Sequence, residues 1–428
     1  MRPAHIVINT VGSLGDLFPF LAVGRALHAR GHRVTVATHA MHAAAIEQSG
    51  LRFADASGTP APANIAEFTA RAFHPVRGPT FLIRDMAAAD VGPSYALLQA
   101  ICQDADVLIT STLAFAGQIL GETLSAAGKL QWVSAVLAPC SFLSIHEPPI
   151  VGMPWADEMA CGPLRGKRLL HFLIWLRVRG WTGPVRAFRR ALGLPGESPL
   201  GNPLQDGQHA PACALALFSP QLGSPQADWP RHAHITGFVH YAQPGAAMDA
   251  ALQSFLHEGP PPVVFTLGST AVHIGVHFLR ESIKMCEQLG RRAVLFTGSP
   301  EVRAQLPASL PSSMHAVAYA PHAAVFPHAA AIVHHGGIGT STEALRAGRP
   351  MLVVPHGFDQ FDNAERLERL GVARSIASRD YRCETVLPLL SALLDEPAYA
   401  QRAQDCAEKV RLEHGEQVAA DLVEALLR

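Results

Sequence analysis

The stretch AAAIVHHGGIGTSTEALRAGRPMLVVPHGFDQ, residues 329–360, decides the fold. Its apolar start, Ala329 to Val333, has the length and content of a buried strand. Two histidines and the glycines Gly336, Gly337 and Gly339 follow, and a helix is expected from Ser341 to Ala347, stopped by Gly348 and Pro350. Met351 to Val354 reads as the next strand. Strand, glycine turn, helix and strand make a βαβ unit whose turn presents free backbone N–H groups at a helix N-terminus. Such a terminus favours a phosphate by up to about 2 kcal/mol in partly buried geometries. Glycines let a ligand approach the backbone, and His335 beside the turn can donate to a phosphate oxygen. Glu343 can accept hydrogen bonds from a diol such as a ribose. Asp359 and Gln360 fall just past the second strand, at the carboxyl edge where α/β proteins bind ligands.

The same alternation extends outward. His5 to Val11 is an apolar run ending in Gly12-Ser13-Leu14-Gly15-Asp16, with a helical pattern from Pro19 to Arg30 and a strand over Arg33 to Thr38. The opening lacks the GxGxxG spacing and the later acidic residue of a dinucleotide fold, which weakens an oxidoreductase reading. Further strands are expected at Leu51 to Ala56, Val107 to Ser111, Trp132 to Leu137 and Cys213 to Phe218. Val263 to Leu267 opens a second array with the turn Gly268-Ser269-Thr270, followed by Arg292 to Thr297 and His315 to Ala320. Helices are expected over Gln360 to Leu370, Glu384 to Leu394 and Ala398 to Arg428. The expected organisation is therefore two α/β domains, residues 1–241 and 263–428, joined by a proline- and glycine-containing linker, 242–262.

With 428 residues, 49% hydrophobic and 16% charged, the chain can bury two large sheets. A net charge of −1 gives no basic field and argues against nucleic-acid binding. Seven cysteines without metal-like spacing read as reduced thiols. Among the 22 histidines, no Asp, Glu or Cys cluster joins at ligand spacing, so no metal is expected. No apolar run approaches the ~20 residues of a membrane span, and HIVINTV enters a strand without a signal-type core. A cytoplasmic protein is expected.

The stretch from residue 329 to 360 resembles the donor-binding signature of family-one, nucleotide-sugar-dependent glycosyltransferases with the GT-B fold, two doubly wound Rossmann-like domains facing across a cleft. The resemblance implies that His335 contacts the donor diphosphate, that Gly337, Gly339 and Thr340 form the backbone turn, and that Glu343 holds the ribose. It implies that Asp359 and Gln360 grip the sugar, and that Gly268 and Ser269 approach the phosphates. Tyr319-Ala320-Pro321-His322 stands at the family's Trp-Ala-Pro-Gln segment, which makes Tyr319 the candidate neighbour of the base. By position alone Asp16 reads as a helix N-cap or as a general base, since both need a carboxylate at the end of the first strand. Its Gly-Ser-x-Gly-Asp-x-x-Pro context resembles bacterial members whose aspartate is the acceptor base. Within the family GSLGDLFPF, the ADWP segment before ITGF, AYAP and FDQFDNAERLERLG resemble the branch containing the bacterial rhamnosyltransferase of rhamnolipid synthesis. That branch implies inverting, metal-independent transfer from dTDP-L-rhamnose to the hydroxyl of a 3-hydroxyalkanoyloxy alkanoic acid. Two other readings stand beside it: UDP-glucose transfer to a sterol, macrolide or polyphenol, and a non-catalytic nucleotide-sugar-binding subunit.

The acceptor side is less patterned. The irregular segment from Gly58 to Pro93 and the loop PCSFLSIHEPP, 139–149, are expected to line the acceptor pocket. Ser13 and His146 are candidate acceptor contacts; His146 also reads as a plain surface histidine. From Pro163 to Gly196 there are eight Lys or Arg and no acid, interleaved with LLHFLIWL. This reads either as a surface helix packed on the first domain or as a peripheral membrane contact at the inner face. In GT-B enzymes the last helix crosses back to the first domain, which the resemblance implies here.

Overall fold

The computed structural model describes residues 2–245 and 247–428; the side chains of Ser269 and Thr270 lie outside the described residues. Two parallel sheets divide the chain. The first contains β1 (His5–Asn9), β2 (Arg33–Thr38), β3 (Arg52–Asp55), β4 (Val107–Thr110), β5 (Gln131–Val136), β6 (Ala214–Ala216) and β7 (Ala233–Ile235), in the order β3-β2-β1-β4-β5-β6-β7. The second contains β8 (Val263–Thr266), β9 (Ala293–Phe296), β10 (Met314–Val317), β11 (Ala331–His334), β12 (Met351–Val353) and β13 (Ala373–Ser375), in the order β10-β9-β8-β11-β12-β13.

Helices cover both faces of each sheet, which is why β1, β4, β8, β9 and β11 have continuous apolar centres and are buried along their length. Each sheet accordingly has two core layers. Ile6 and Ile8 point into one layer of the first sheet and Val7 into the other. In the second sheet Val264 and Ile332 face one layer, Phe265 and Val333 the other.

The strand order reverses between β1 and β4 in one sheet and between β8 and β11 in the other, and a crevice opens at such points beyond the carboxyl ends. The turns after β1, β8 and β11 therefore define the two walls of one cleft. Helix Leu14–Ala29, which follows β1, packs against segment Gly268–Ala271, which follows β8.

Between the sheets, Asp249 caps helix Ala250–His257 by accepting from Leu252 N at 2.7 Å, and Leu252 and Leu256 enter the core of the second sheet. The passage free of core contacts is thus shorter than the expected linker. The expected C-terminal helical region is two helices, Pro397–Val410 and Gly415–Ala425. Ala419, Ala420 and Val423 of the second belong to the core of the first sheet, where Arg30 pairs with Glu424 at 2.9 Å. The break between them lies against the outgoing chain. Glu413 accepts from Phe238 N at 2.5 Å, and a Cβ on Gly415 would stand 2.4 Å from Gly237 O.

Candidate active site

The turn after β11 is built by its own histidines and glycines. His334 is fully buried and its Nδ1 accepts from Gly336 N at 3.1 Å, which fixes the chain as it leaves the strand. Gly336 has φ +88, and a Cβ there would stand 2.8 Å from Val353 Cγ1 and 2.9 Å from Gln360 O, so only glycine fits. Gly337 is the N-cap of helix Ile338–Ala347. The first-turn N–H groups of Ile338, Gly339 and Thr340 have no intrahelical acceptor. A Cβ on Gly339 would meet nothing within 4 Å, so the backbone there is open to the cleft.

The His335 ring lies between two glycines. A Cβ on Gly337 would stand 2.4 Å from its Nε2, and one on Gly268 would stand 2.6 Å from its Cε1. Burial, with the neighbouring His334, His356 and His322, holds its pKa well below the ordinary value. At neutral pH it is an uncharged imidazole able to give one hydrogen bond. Ser269, beside Gly268, has its side chain outside the described residues.

Asp359 caps helix Gln360–Arg369 at the mouth of β12. The buried Asn363 amide donates to Asp359 Oδ2 at 2.8 Å and to Gly336 O at 2.9 Å, so one side chain joins the carboxylate to the glycine turn. Burial pushes the Asp359 pKa up to about 7 against that hydrogen bond, and the Asp16 carboxylate adds to the rise from across the cleft. Gln360 is 5% exposed, and its Oε1 accepts from His356 N at 2.8 Å and Gly357 N at 3.2 Å. Its carbonyl is thus engaged in shaping the loop 356–358.

At the other edge of the turn, Glu343 Oε1 pairs with His240 Nδ1 at 2.7 Å, joining the donor helix to the segment between the sheets. Tyr319 is 58% exposed, and its hydroxyl donates to Gln243 Oε1 at 2.7 Å, which leaves the ring available to a planar partner. His322, at the end of the same segment, instead stacks on Phe326 at 4.5 Å beneath the surface.

On the opposite wall, Asp16 is the third residue of helix Leu14–Ala29, and the N-cap is Ser13. The reading of Asp16 as the cap itself is therefore displaced by three residues. Ser13 N and Oγ donate to Asp16 Oδ2 at 2.7 and 3.0 Å, so the carboxylate reaches back over the N-cap as the acidic member of a capping box does. Gly12, at φ +147, makes room: a Cβ would stand 2.4 Å from the same oxygen. Burial raises the Asp16 pKa, and the Ser13 hydrogen bonds oppose the rise. Ser13 is thus spent on holding the carboxylate. His42 Nε2 donates to Gly12 O at 3.0 Å and fixes the turn from the helix behind it.

His146 is exposed, and the contacts of its residue are made by its backbone: its N–H donates to Ser144 Oγ at 3.0 Å and its carbonyl accepts from Lys167 Nζ at 2.8 Å. Its neighbour Glu147 is the residue that reaches across the domains, pairing with Arg366 at 3.0 Å and Arg369 at 3.0 Å. Arg366, 2% exposed, also binds Asp362 at 2.5 Å and Leu222 O at 2.8 Å. The segment 58–93, expected to be irregular, is largely helical, with helix Ile65–Ala72 and a wider helical turn over Thr80–Ala88. Phe73, at the end of the first, packs edge-on against Phe358 at 5.1 Å and against His356 at 6.3 Å. Both acceptor-side loops therefore touch the element that carries Asp359.

Sequence reading missed Asn363, His42, His240 and Arg366. Asn363 and Arg366 had a local signal: they lie four residues after Asp359 and Asp362 on one helix, a spacing at which side chains meet.

These features, a carboxylate on one wall and an uncharged histidine at an anion-favouring turn on the other, define a group-transfer cleft in a GT-B fold. Residues 6–141 match the glycosyltransferase family 28 N-terminal domain, and residues 294–425 match the erythromycin biosynthesis protein CIII-like C-terminal domain. The chain is 31% identical to the O-mycaminosyltylonolide 6-deoxyallosyltransferase of Streptomyces fradiae, over 98% of this chain and 97% of that protein. It is 28% identical to a sterol 3-beta-glucosyltransferase of Aspergillus fumigatus across its whole length, but spans only 30% of that protein. Among solved structures it is similar to the glycotransferase of kitacinnamycin, with TM-score 0.71 and 25% identity over all of both chains. It shares its fold with the glycosyltransferase VinC, whose structure contains DTDP, at TM-score 0.68 and 22% identity over 99% of this chain and 100% of that one. The chain belongs to the family-one GT-B glycosyltransferases and is a nucleotide-sugar-dependent enzyme of that family.

Proposed function

We propose that this enzyme transfers a 6-deoxyhexose, L-rhamnose from dTDP-L-rhamnose, to the hydroxyl of a lipid-like acceptor of the 3-hydroxyalkanoyloxy alkanoic acid type. Asp16 takes the hydroxyl proton as the acceptor oxygen forms its bond to the anomeric carbon. The bond from that carbon to the diphosphate breaks with inversion, and its electron pair leaves on the diphosphate. The N–H groups after Gly337, with His335, face that developing charge as fixed dipoles. Glu343 holds the ribose, Tyr319 stacks on the base, and Asp359 with Gln360 orients the sugar. The observation that carries the reading is the packing of helix Leu14–Ala29, which holds Asp16, against segment Gly268–Ala271, where a Cβ on Gly268 would stand 2.6 Å from the His335 ring, so the two walls meet in one crevice. In this reading the enzyme works without a metal, in the cytoplasm at the inner face of a membrane.

A macrolide or sterol acceptor is the second reading, supported by the named acceptors of the Streptomyces and Aspergillus relatives. The test is turnover by the purified chain alone, offered dTDP-L-rhamnose or UDP-glucose with a hydroxy fatty acid dimer, a macrolide aglycone or a sterol. A rhamnoside of the hydroxy fatty acid dimer supports the first reading. Product only on the macrolide or sterol moves the assignment to the second, and no product with any pair returns the chain to a binding role. Thermal stabilisation by dTDP beyond that by UDP is expected alongside, since the preferred nucleotide binds the folded state more tightly.

A further inference from the structure

Helix Leu164–Trp181 turns an apolar strip to solvent. Leu169, Phe172 and Leu176 recur at steps of three and four on one face, and each is about half exposed, Phe172 by 53%. Phe172 stacks on Trp175 at 5.9 Å, so the strip carries a paired aromatic surface. Trp155, 51% exposed on the packed helix Pro154–Cys161, adds to the exposed apolar area. Arg165, Arg168 and Arg179 are exposed on the same helix. Arg179 pairs with Glu197, and Glu158 is the exposed acid on the neighbouring helix, but residues 163–196 contain no acid at all.

We propose that this face docks on an anionic lipid bilayer. An apolar, aromatic strip beside unneutralised arginines combines the two attractions that hold a helix in the headgroup plane. A second copy of the same face would bring arginines against arginines, which disfavours self-association there. Among the described residues no helix is long and apolar enough to cross a membrane, so the helix lies on the surface. The docking has a geometric use. Trp181 Nε1 and Arg177 Nη2 donate to Thr80 Oγ1 at 2.9 and 3.2 Å, tying this helix to segment Thr80–Ala88 on the acceptor side. A bilayer under the arginine helix is therefore next to the route by which an amphiphilic acceptor would enter. The inference rests on the lipid-acceptor reading for its purpose, and on charge and exposure for its physics.

Co-sedimentation of the full chain with vesicles of equal parts phosphatidylglycerol and phosphatidylcholine, against phosphatidylcholine alone, tests it. Binding to the anionic vesicles is expected to exceed binding to the neutral ones and to fall with salt. Arg165→Gln and Arg168→Gln should each weaken partitioning about fivefold, and Phe172→Ser should weaken it at low salt as well. Equal binding to both vesicle types, or anionic binding untouched by all three substitutions, overturns the proposal. So does a concentration-dependent oligomer or a pulled-down acidic protein that Phe172→Ser releases while vesicle binding is nil. Turnover of a short, water-soluble hydroxy acid without vesicles separates the two ideas: turnover with no vesicle binding removes only the docking, and vesicle binding with no such turnover removes only the acceptor.

Discussion

Gly337→Ala is the sharpest probe of the donor turn, because it acts on His335 without straining the backbone. Gly337 has φ −60, which alanine adopts freely, but its Cβ would stand 2.4 Å from His335 Nε2. Carbon–nitrogen contacts settle near 3.5 Å, so the ring must retreat by about 1 Å. A hydrogen bond lengthened that far no longer forms. If His335 donates to the donor diphosphate, the loss is that of a bond to a charged group, roughly 1.5–3 kcal/mol. The dissociation constant of the nucleoside diphosphate should then rise roughly 10- to 150-fold. Calorimetric titration of dTDP or UDP into wild type, Gly337→Ala, His335→Ala and the double variant forms a cycle. With the imidazole gone, adding Gly337→Ala should cost little more. An equal loss in the presence and absence of the ring would show that the methyl blocks the ligand directly and that His335 is a bystander.

Three further outcomes are expected. Asp16→Asn should lower kcat by about 10²–10⁴ with the donor KM nearly unchanged; full turnover in steady-state assays would remove Asp16 as the base. Asp359→Asn should alter the pH dependence of stability. The carboxyl rises from 3.8 to about 7 on folding, so the folded state binds the extra proton and wild type loses stability as pH climbs through that window. In the difference between wild-type and variant melting curves the variant should gain progressively from pH ~4 to pH ~7, and a flat difference contradicts the burial argument. Arg366→Ala leaves the carboxylate of Asp362, 2% exposed, without its guanidinium, and should cost about 3–5 kcal/mol in urea unfolding. Glu147→Gln, at the solvent-side end of the same cluster, should cost much less; equal losses would mean that the interdomain ion pair dominates.

The sheets were legible because burial on both faces leaves a local trace. IVI within β1 and AVLF at β9 are uninterrupted apolar words that helices on two sides require. The glycine turn was legible for a related reason: φ +88 and close neighbours at Gly336 admit no side chain, and any side chain at Gly337 would displace the His335 ring, so the constraint is written in the residues themselves. The reach of Glu147 to Arg366 and of His240 to Glu343 had no such trace. Their partners are distant in the chain, and either member alone looks like an ordinary surface charge. The Ser13 cap was present as a Ser-x-x-Asp pattern, but the same aspartate also suited the cap position, and only geometry separates the two. The length of the final helix was overread because Gly415 marks a break only when the carbonyl of Gly237 is known to press on it.

That last contact has a consequence for assembly. Ala419, Ala420 and Val423 complete the apolar layer beneath β1 and β2, although they are made some four hundred residues later. During synthesis the N-terminal half must wait with that layer uncovered, a period in which chaperone capture or misassociation competes with closure. Removing residues 415–428 should therefore be read out as aggregation of the half that begins the chain, far from the deletion.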